Sequence, residues 1–550
     1  MASLEEKAKA RRFDGISKDL LYASEQDEAI KRVELLKDTE NKVAIVGAGI
    51  SGIEAAKIFL RKGYDVVLFE QNDYMAGIWL RAANLESRVQ VDPVSFRPVE
   101  DESPVRSTDR SNPFDTMYST RNEVVSRVAH DVSTFGIQKR VLFNMKVIDF
   151  TCESNQAVKV TVSHEPSNTT YKLTFRQLHI RTGCLNQSIK MPYPNMEEYQ
   201  GLYVQGIGCD SELSDFEGKD VIVVGLGAFA TENVRRTLMG KAKSVTLLAR
   251  SFNKPWFPEY ATYSLRYTLQ ADDALEESQV QSMWRNVFGI LSTVASHCGV
   301  SPLVINPNTV RFVEGEPVIL FNSGVPSMSS NALYLACHYG LCHCVNGEID
   351  RFTKSGVILR SGKSISADVV VGCLGFDCNY SLLQGHSVQD SWFVDGNVNV
   401  THNLRGDRVN GTGMLGASVR HNNFLISYYE DAQEYERCII RLNENPSAFA
   451  ELKALSPTKN YMDIKSVDYF TTLDLSEKLA SLSDPEIQAI LGENRAKRRW
   501  FYQNLLTEEM FLESDCDAWG RLAREFADRT GKDVLEYPFA HRMKGLDGCK

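Results

Sequence analysis

The chain has 550 residues, 43% hydrophobic and 24% charged, which is ordinary for a globular protein and points to roughly two or three domains. Its 61 basic against 71 acidic residues give a formal net charge of −10, so it lacks the electrostatic footprint of a nucleic-acid binder. No apolar run reaches the about 18 residues of a membrane helix, and the N-terminus carries no apolar signal core. The twelve cysteines show no disulfide-framework spacing, so a cytoplasmic protein without a membrane segment is expected.

Residues 1–41 are charged and helix-prone, and predict a helical N-terminal extension. Residues 43–71 then read VAIVGAGISGIEAAKIFLRKGYDVVLFEQ, a buried strand, a glycine-rich turn, a helix and a second strand. Gly47, Gly49 and Gly52 supply G-x-G-x-x-G. The first glycine allows the tight turn, the second lets backbone approach a pyrophosphate, and the third lets helix pack on strand. Glu70 closes the second strand, where a carboxylate takes ribose hydroxyls and disfavours a 2′-phosphate, so this site suits FAD or NAD.

Further along, DVIVVGLGAFATENV repeats the design with Gly225, Gly227 and Ala230, and Thr231 opens the helix. The following strand ends in Arg250, with Lys254 close behind; basic residues in the carboxylate's place suit a 2′-phosphate. The first copy is therefore expected to hold FAD and the second NADPH. Two such sites imply hydride transfer from nicotinamide to flavin. The stretch 264–300 reads as a helical insertion, with Trp284, Phe288 and Leu291 on one apolar face, and is expected either to join the domain's own core or a second subunit or to cap the substrate pocket. In CHYGLCHC, from Cys337 to Cys344, the spacing matches no closed zinc motif; a helix end running into a strand is expected, and no metal. The chain after 465 again reads as helical. The fold expected is α/β with two Rossmann-like dinucleotide-binding domains. The FAD domain takes 42–200 and 365–465, the NADPH domain 201–364, and a helical C-terminal region 466–550.

Disulfide reductases with two dinucleotide sites carry a redox cysteine pair soon after the FAD strand; here the first cysteine is Cys152, far too late. From Lys42 to about Gly416 the chain instead resembles the class B flavin-dependent monooxygenases, the group of flavin-containing and Baeyer–Villiger monooxygenases. AGIW, with Gly77 and Trp79, matches the family's G-G-x-W. YQGLYVQ stands where the family has F-x-G-x-x-x-H, with Gln205 in place of the histidine. FEGKDVIVVG matches F-x-G-K-x-V-x-V-x-G, and VLFNMKVIDF matches the strand whose backbone meets the adenine near Val147. Two hinge segments, A-T-G in the family, appear as RTG and CLGF, with Arg181 and Cys373 in place of alanine. Asp210 falls where the Baeyer–Villiger subfamily has Pro or Asp.

The resemblance implies an NADPH-dependent flavin monooxygenase that oxygenates a small molecule with dioxygen, at nitrogen, at sulfur or by Baeyer–Villiger insertion, through a C4a-(hydro)peroxyflavin. It places Gln90 beside the flavin as the candidate catalytic residue, the plain alternative being a glutamine bonded to backbone. Alternatives kept open are a same-fold halogenase or oxidative decarboxylase, and a non-catalytic FAD-binding protein. A homo-oligomer is compatible with all of these.

Overall fold

The structure is a computed structural model. It describes residues 38–90, 111–152, 157–182, 192–250, 256–271, 277–300, 330–377 and 499–543. Shorter described pieces lie at 11–16, 20–22, 28–34, 187–190, 310–313, 316–319, 393–394 and 398–400, with single residues at 36, 252, 382 and 496.

Two parallel sheets organise it. In the first, strands run in the order β20 (Phe393–Val394), β21 (Val398–Val400), β7 (Gln177–Ile180), β1 (Val43–Val46), β2 (Val66–Phe69) and β3 (Val141–Leu142). Every residue of β1 and β2 is buried, as expected of a central parallel strand covered on both faces. One face packs α2 (Ile50–Arg61) and α4 (Arg121–Thr134) through Ile53, Ala56 and Phe59 against Val125, Val128 and Val132. The other face is covered by a meander, β4 (Met145–Cys152), β5 (Val158–His164) and β6 (Thr169–Phe175), through Phe150, Val160, Val162 and Phe175. The short helices α1 (Glu28–Glu34) and α3 (Ile78–Arg81) border this unit.

The second sheet runs β14 (Cys342–Asn346), β11 (Ser244–Ala249), β10 (Asp220–Val224), β18 (Val369–Gly372) and β9 (Leu202–Val204). Its strands alternate between two cores. Val221, Val223 and Leu247 face a helical layer, whereas Ile222, Leu248 and Val370 face the small antiparallel sheet β15 (Ile349–Thr353), β16 (Gly356–Leu359) and β17 (Ser364–Ser366). The helical layer holds α5 (Ala228–Met239), α6 (Glu259–Ala271), α7 (Glu277–His297), α8 (Asn331–Tyr339) and α9 (Glu508–Thr530). A hairpin, β12 (Val310–Val313) with β13 (Glu316–Ile319), lies between α7 and α8 in sequence. Strand β8 (Gln187–Ser188) pairs with β19 (Phe376–Asp377), which ties the two crossovers between the domains.

Three expectations change here. The boundary expected at 364/365 falls later, because Val369–Gly372 pairs with β10 and β9 inside the second sheet; its four buried residues need helices and hairpin on both sides. The insertion is two helices that start at Glu259. Its apolar stripe of Val287, Ile290, Leu291 and Val294 joins the domain's own core with Trp519, Leu522 and Phe526 of α9, so on that face the plainer reading holds. The side chains of Trp284 and Phe288 lie outside the described residues, as does 401–494, which contains much of the expected FAD return and C-terminal region. The C-terminal helix is an integral wall of the second domain: Arg529 donates to the carbonyls of Leu238 and Ala242. The segment Cys337–Cys344 is a helix end, a left-handed Gly340 and strand β14.

Candidate active site

Each sheet presents the same device at its carboxyl edge. After β1, Gly47 has φ +98°, and a Cβ there would lie 2.7 Å from the Arg181 carbonyl oxygen that ends β7. After β10, Gly225 has φ +123°, and a Cβ would lie 2.3 Å from the Cys373 carbonyl oxygen that ends β18. Only glycine satisfies both the dihedral and the close approach. A Cβ on Gly52 would meet the Gly47 carbonyl at 1.9 Å, so the third glycine is fixed by helix–strand contact. The second glycines differ: Gly49 has only Gly77 Cα at 3.7 Å before it, and Gly227 faces open space.

Gly49 and Gly227 are the N-caps of α2 and α5, both extended and neither with a side-chain cap. The first-turn N–H groups therefore have no capping partner, and the positive dipole end is left for an anion. Ser51 strengthens the first site. It is 4% exposed, and its hydroxyl has no hydrogen-bond partner among the described residues, as suits a group that meets a phosphate. In α5, Ala230 and Thr231 are buried, and the Thr231 hydroxyl donates to the Gly227 carbonyl at 3.3 Å.

Glu70 is buried at the end of β2. One carboxylate oxygen accepts the Ala48 N–H at 2.8 Å; the other accepts the backbone N–H and side-chain amide of Asn72 at 2.9 and 2.7 Å. Burial pushes its carboxyl up, and those three donors oppose the shift. With three bonds accepted, the carboxylate keeps capacity for a ribose hydroxyl. The Met145 N–H donates to the Glu70 carbonyl at 2.9 Å, so the strand carrying buried Val147 starts beside Glu70. Gly77 (φ +54°) lies against Gly49, and the Ala76 N–H donates to the Ala48 carbonyl at 3.0 Å, folding AGIW over the glycine turn. Trp79 is half-buried, and its carbonyl accepts from fully buried Arg121 at 3.1 Å.

On the second domain, Arg250 is exposed at the end of β11, with its carbonyl held by the Asn346 amide at 3.2 Å. Lys254 lies outside the described residues. Gln90 is turned to the second domain: its amide donates to the Ala228 carbonyl and to Glu232, both at 3.1 Å, while its own carbonyl oxygen is buried with no partner among the described residues. It thus sits at the first turn of α5, where the two domains meet, rather than on the first domain alone. Glu232 is the residue that sequence reading undervalued. It also accepts from the backbone of Arg88 at 3.4 Å and from Arg235 at 2.8 Å, so one buried carboxylate joins the 88–90 segment to α5. Asp210 is buried too, accepts the Gln205 N–H at 2.8 Å, and has its carboxyl raised by burial. The sequence singled out Asp210 only through the resemblance, and Glu232 only as an acidic residue in the first turns of α5.

The family profile described as "Pyridine nucleotide-disulphide oxidoreductase" matches residues 41–288. The chain is 23% identical over 410 residues to the FAD-containing monooxygenase EthA of Mycobacterium tuberculosis, covering 69% of this chain and 78% of that one. The chain is thus similar to FAD-containing monooxygenases over about two thirds of its length. Another relative, at 22% identity over 352 residues, is a 4-hydroxybenzoate brominase (decarboxylating) of Pseudoalteromonas luteoviolacea, covering 62% of this chain and 64% of that one. Among solved structures, the OTEMO complex with FAD and NADP matches with a TM-score of 0.50 at 16% identity, over 76% of this chain and 91% of that one; this likeness establishes the two-domain fold. FAD and NADP are the cofactors of that solved structure, and FAD that of EthA by its name. No helix among the described residues is long and apolar enough to cross a membrane.

Proposed function

We propose that this chain is an NADPH-dependent flavin monooxygenase that oxygenates a small organic molecule with dioxygen in the cytoplasm. The observation that carries the reading is the contrast between two otherwise duplicate sites. One ends in a buried carboxylate, Glu70, and the other in an exposed cation, Arg250.

FAD would be held by Gly47, Gly49, Gly52, Ser51 and Glu70, with Gly77, Trp79 and Val147 around it. Bound flavin supplies hydride acceptance and dioxygen activation. NADPH would be held by Gly225, Gly227, Ala230 and Thr231, with Arg250 on its 2′-phosphate. The chain's own contribution is to orient and to exclude water. Gln90 and Glu232 close the seam between the domains, and Asp210 fixes the crossover at Gln205. No acid–base pair is asked to carry the chemistry.

Purified protein should consume NADPH and dioxygen in air, faster with one class among amines, thioethers, ketones and phenols. A yellow protein that leaves NADPH untouched would sink the proposal. The brominase relative favours one second reading, halogenation of a phenolic acid. Bromide with 4-hydroxybenzoate tests it, brominated product by mass spectrometry being the sign.

A further inference from the structure

Two consecutive residues of the segment folded over the first glycine turn stand at positive φ, Ala76 at +67° and Gly77 at +54°. Glycine adopts that region freely, but an alanine is kept there by its surroundings. One support is the turn itself: the Ala76 N–H donates to the Ala48 carbonyl, and a Cβ on Gly77 would lie 3.1 Å from Gly49 Cα. The other support comes from the N-terminal arm. The Leu21 carbonyl accepts the Met75 N–H at 2.9 Å, and Tyr22 forms an antiparallel bridge with Tyr74. Phe13 meets the rings of Tyr22 and Tyr74 edge-on, with centroids 5.5 and 6.4 Å apart. The Arg12 guanidinium lies 4.2 Å from the centroid of the Tyr74 ring. Phe13 and Leu21 are buried in one core with Met75, Ala76 and Leu80.

Arg121, at the start of α4, joins the arm to the same segment. It is fully buried; its Nε donates to the Trp79 carbonyl at 3.1 Å, and its Nη2 donates to the Arg12 carbonyl. Asn122 beside it donates to the Asp14 carbonyl at 3.4 Å. Hydrogen bonds from a charged donor are the stronger kind, so one guanidinium fixes arm and segment together. Three layers result: the glycine turn, the segment 74–79 and the arm. The middle layer passes from β2 to α3, and its left-handed pair is pressed against Gly49 from outside.

We propose that arm residues 11–22 are a clamp that retains FAD, with Phe13 and Leu21 as positioning residues that hold Ala76–Trp79 over the pyrophosphate turn. The inference rests on the reading of Gly47–Glu70 as the FAD site. The arm acts through the segment: when Phe13 loses its contact with Tyr74, the strained pair at 76–77 relaxes and the turn loses its cover, so bound FAD leaves faster.

The test uses the full-length protein and FAD alone. Apoprotein is titrated with FAD, whose release is followed by flavin fluorescence, and apo and holo forms are melted side by side. Phe13→Ala removes two edge-on ring pairs and should raise the FAD dissociation constant roughly tenfold. It should also shrink the gap between holo and apo melting temperatures, because that gap reports binding to the folded state. A merely structural role would lower both melts together and leave the dissociation constant in place, which overturns the clamp. Arg12→Ala removes only the cation over Tyr74 and should raise the dissociation constant roughly threefold; it carries the test if Phe13→Ala does not fold. Wild-type affinity for FAD in Arg12→Ala or in folded Phe13→Ala overturns the proposal while the FAD site stands. A wild-type apoprotein that takes up no FAD overturns both.

Discussion

Three glycines spaced alike in sequence do different work. Gly52 is closed by protein, with the Gly47 carbonyl where its Cβ would go, whereas Gly49 has only ordinary contact before it. Gly49→Ala should therefore keep the melting temperature of the apoprotein but lose bound FAD, because the methyl group meets only the pyrophosphate. Gly52→Ala should lose both, since backbone must move. Flavin absorbance per protein and thermal melts separate the two, and full flavin content in Gly49→Ala would refute the site. Arg250 is exposed, and the proposed link to a 2′-phosphate would be a charge-assisted bond worth about 1.5–3 kcal/mol. Arg250→Ala should raise KM for NADPH roughly tenfold to a hundredfold and leave that for NADH nearly unchanged; equal effects on both would remove the role. Both proposed assignments start from features legible in the sequence, because strand ends and glycine turns are local.

At the scale of elements, the first turn of α5 is the junction. Gln90 bonds to Ala228 and Glu232 there. Gln90→Ala should loosen the seam and admit water, so more hydrogen peroxide is released per NADPH consumed. An unchanged ratio would reduce Gln90 to a backbone tether. A second junction joins α6, α8 and α9. Asn331 donates to Asp515 at 2.7 Å and accepts the Glu259 N–H at 3.1 Å, and Tyr537 donates to Asp515 at 2.6 Å. Burial raises both carboxyls, and the Asp515 charge raises Glu259 further, against Arg88 and Arg235. A carboxyl raised in the folded state stabilises fully below its unfolded pKa, and that contribution is lost as pH rises through the folded value. Melting temperature should thus fall from about pH 5 to about pH 8, a window that starts near ordinary carboxylate values. Glu259→Gln should flatten that fall; an equally steep profile in the variant would show that Glu259 does not titrate there.

Over the whole molecule, the helices outside the two nucleotide units build the second domain's wall. Trp519 of α9 is 1% exposed, stacks edge-on with Tyr537 and donates to the Leu535 carbonyl at 3.0 Å. Trp519→Ala should cost about 3–5 kcal/mol by cavity and transfer loss, read as a lower urea midpoint for the NADPH domain. A shift below about 1 kcal/mol, the size of a surface change, would mean that α9 is an appendage.

The sequence by itself determined the duplicated strand–turn–helix units, their glycines and the carboxylate against the cation at the strand ends, and through these the resemblance to flavin monooxygenases and the expectation of two dinucleotide cofactors. Those features are set within some thirty residues, where backbone dihedrals and periodicity act locally. What only the tertiary structure decided rests on contacts across hundreds of residues. Val369–Gly372 reads as a generic apolar strand, and only its pairing with β10 and β9 puts it in the second sheet. The insertion's apolar stripe did not name its partner until α9 covered it. Gln90 and Glu232 lie 142 positions apart, and Glu259 and Asp515 come from opposite ends of the second domain's sequence. No local propensity encodes such pairs, because buried charges are satisfied by whatever the packed cores bring to them.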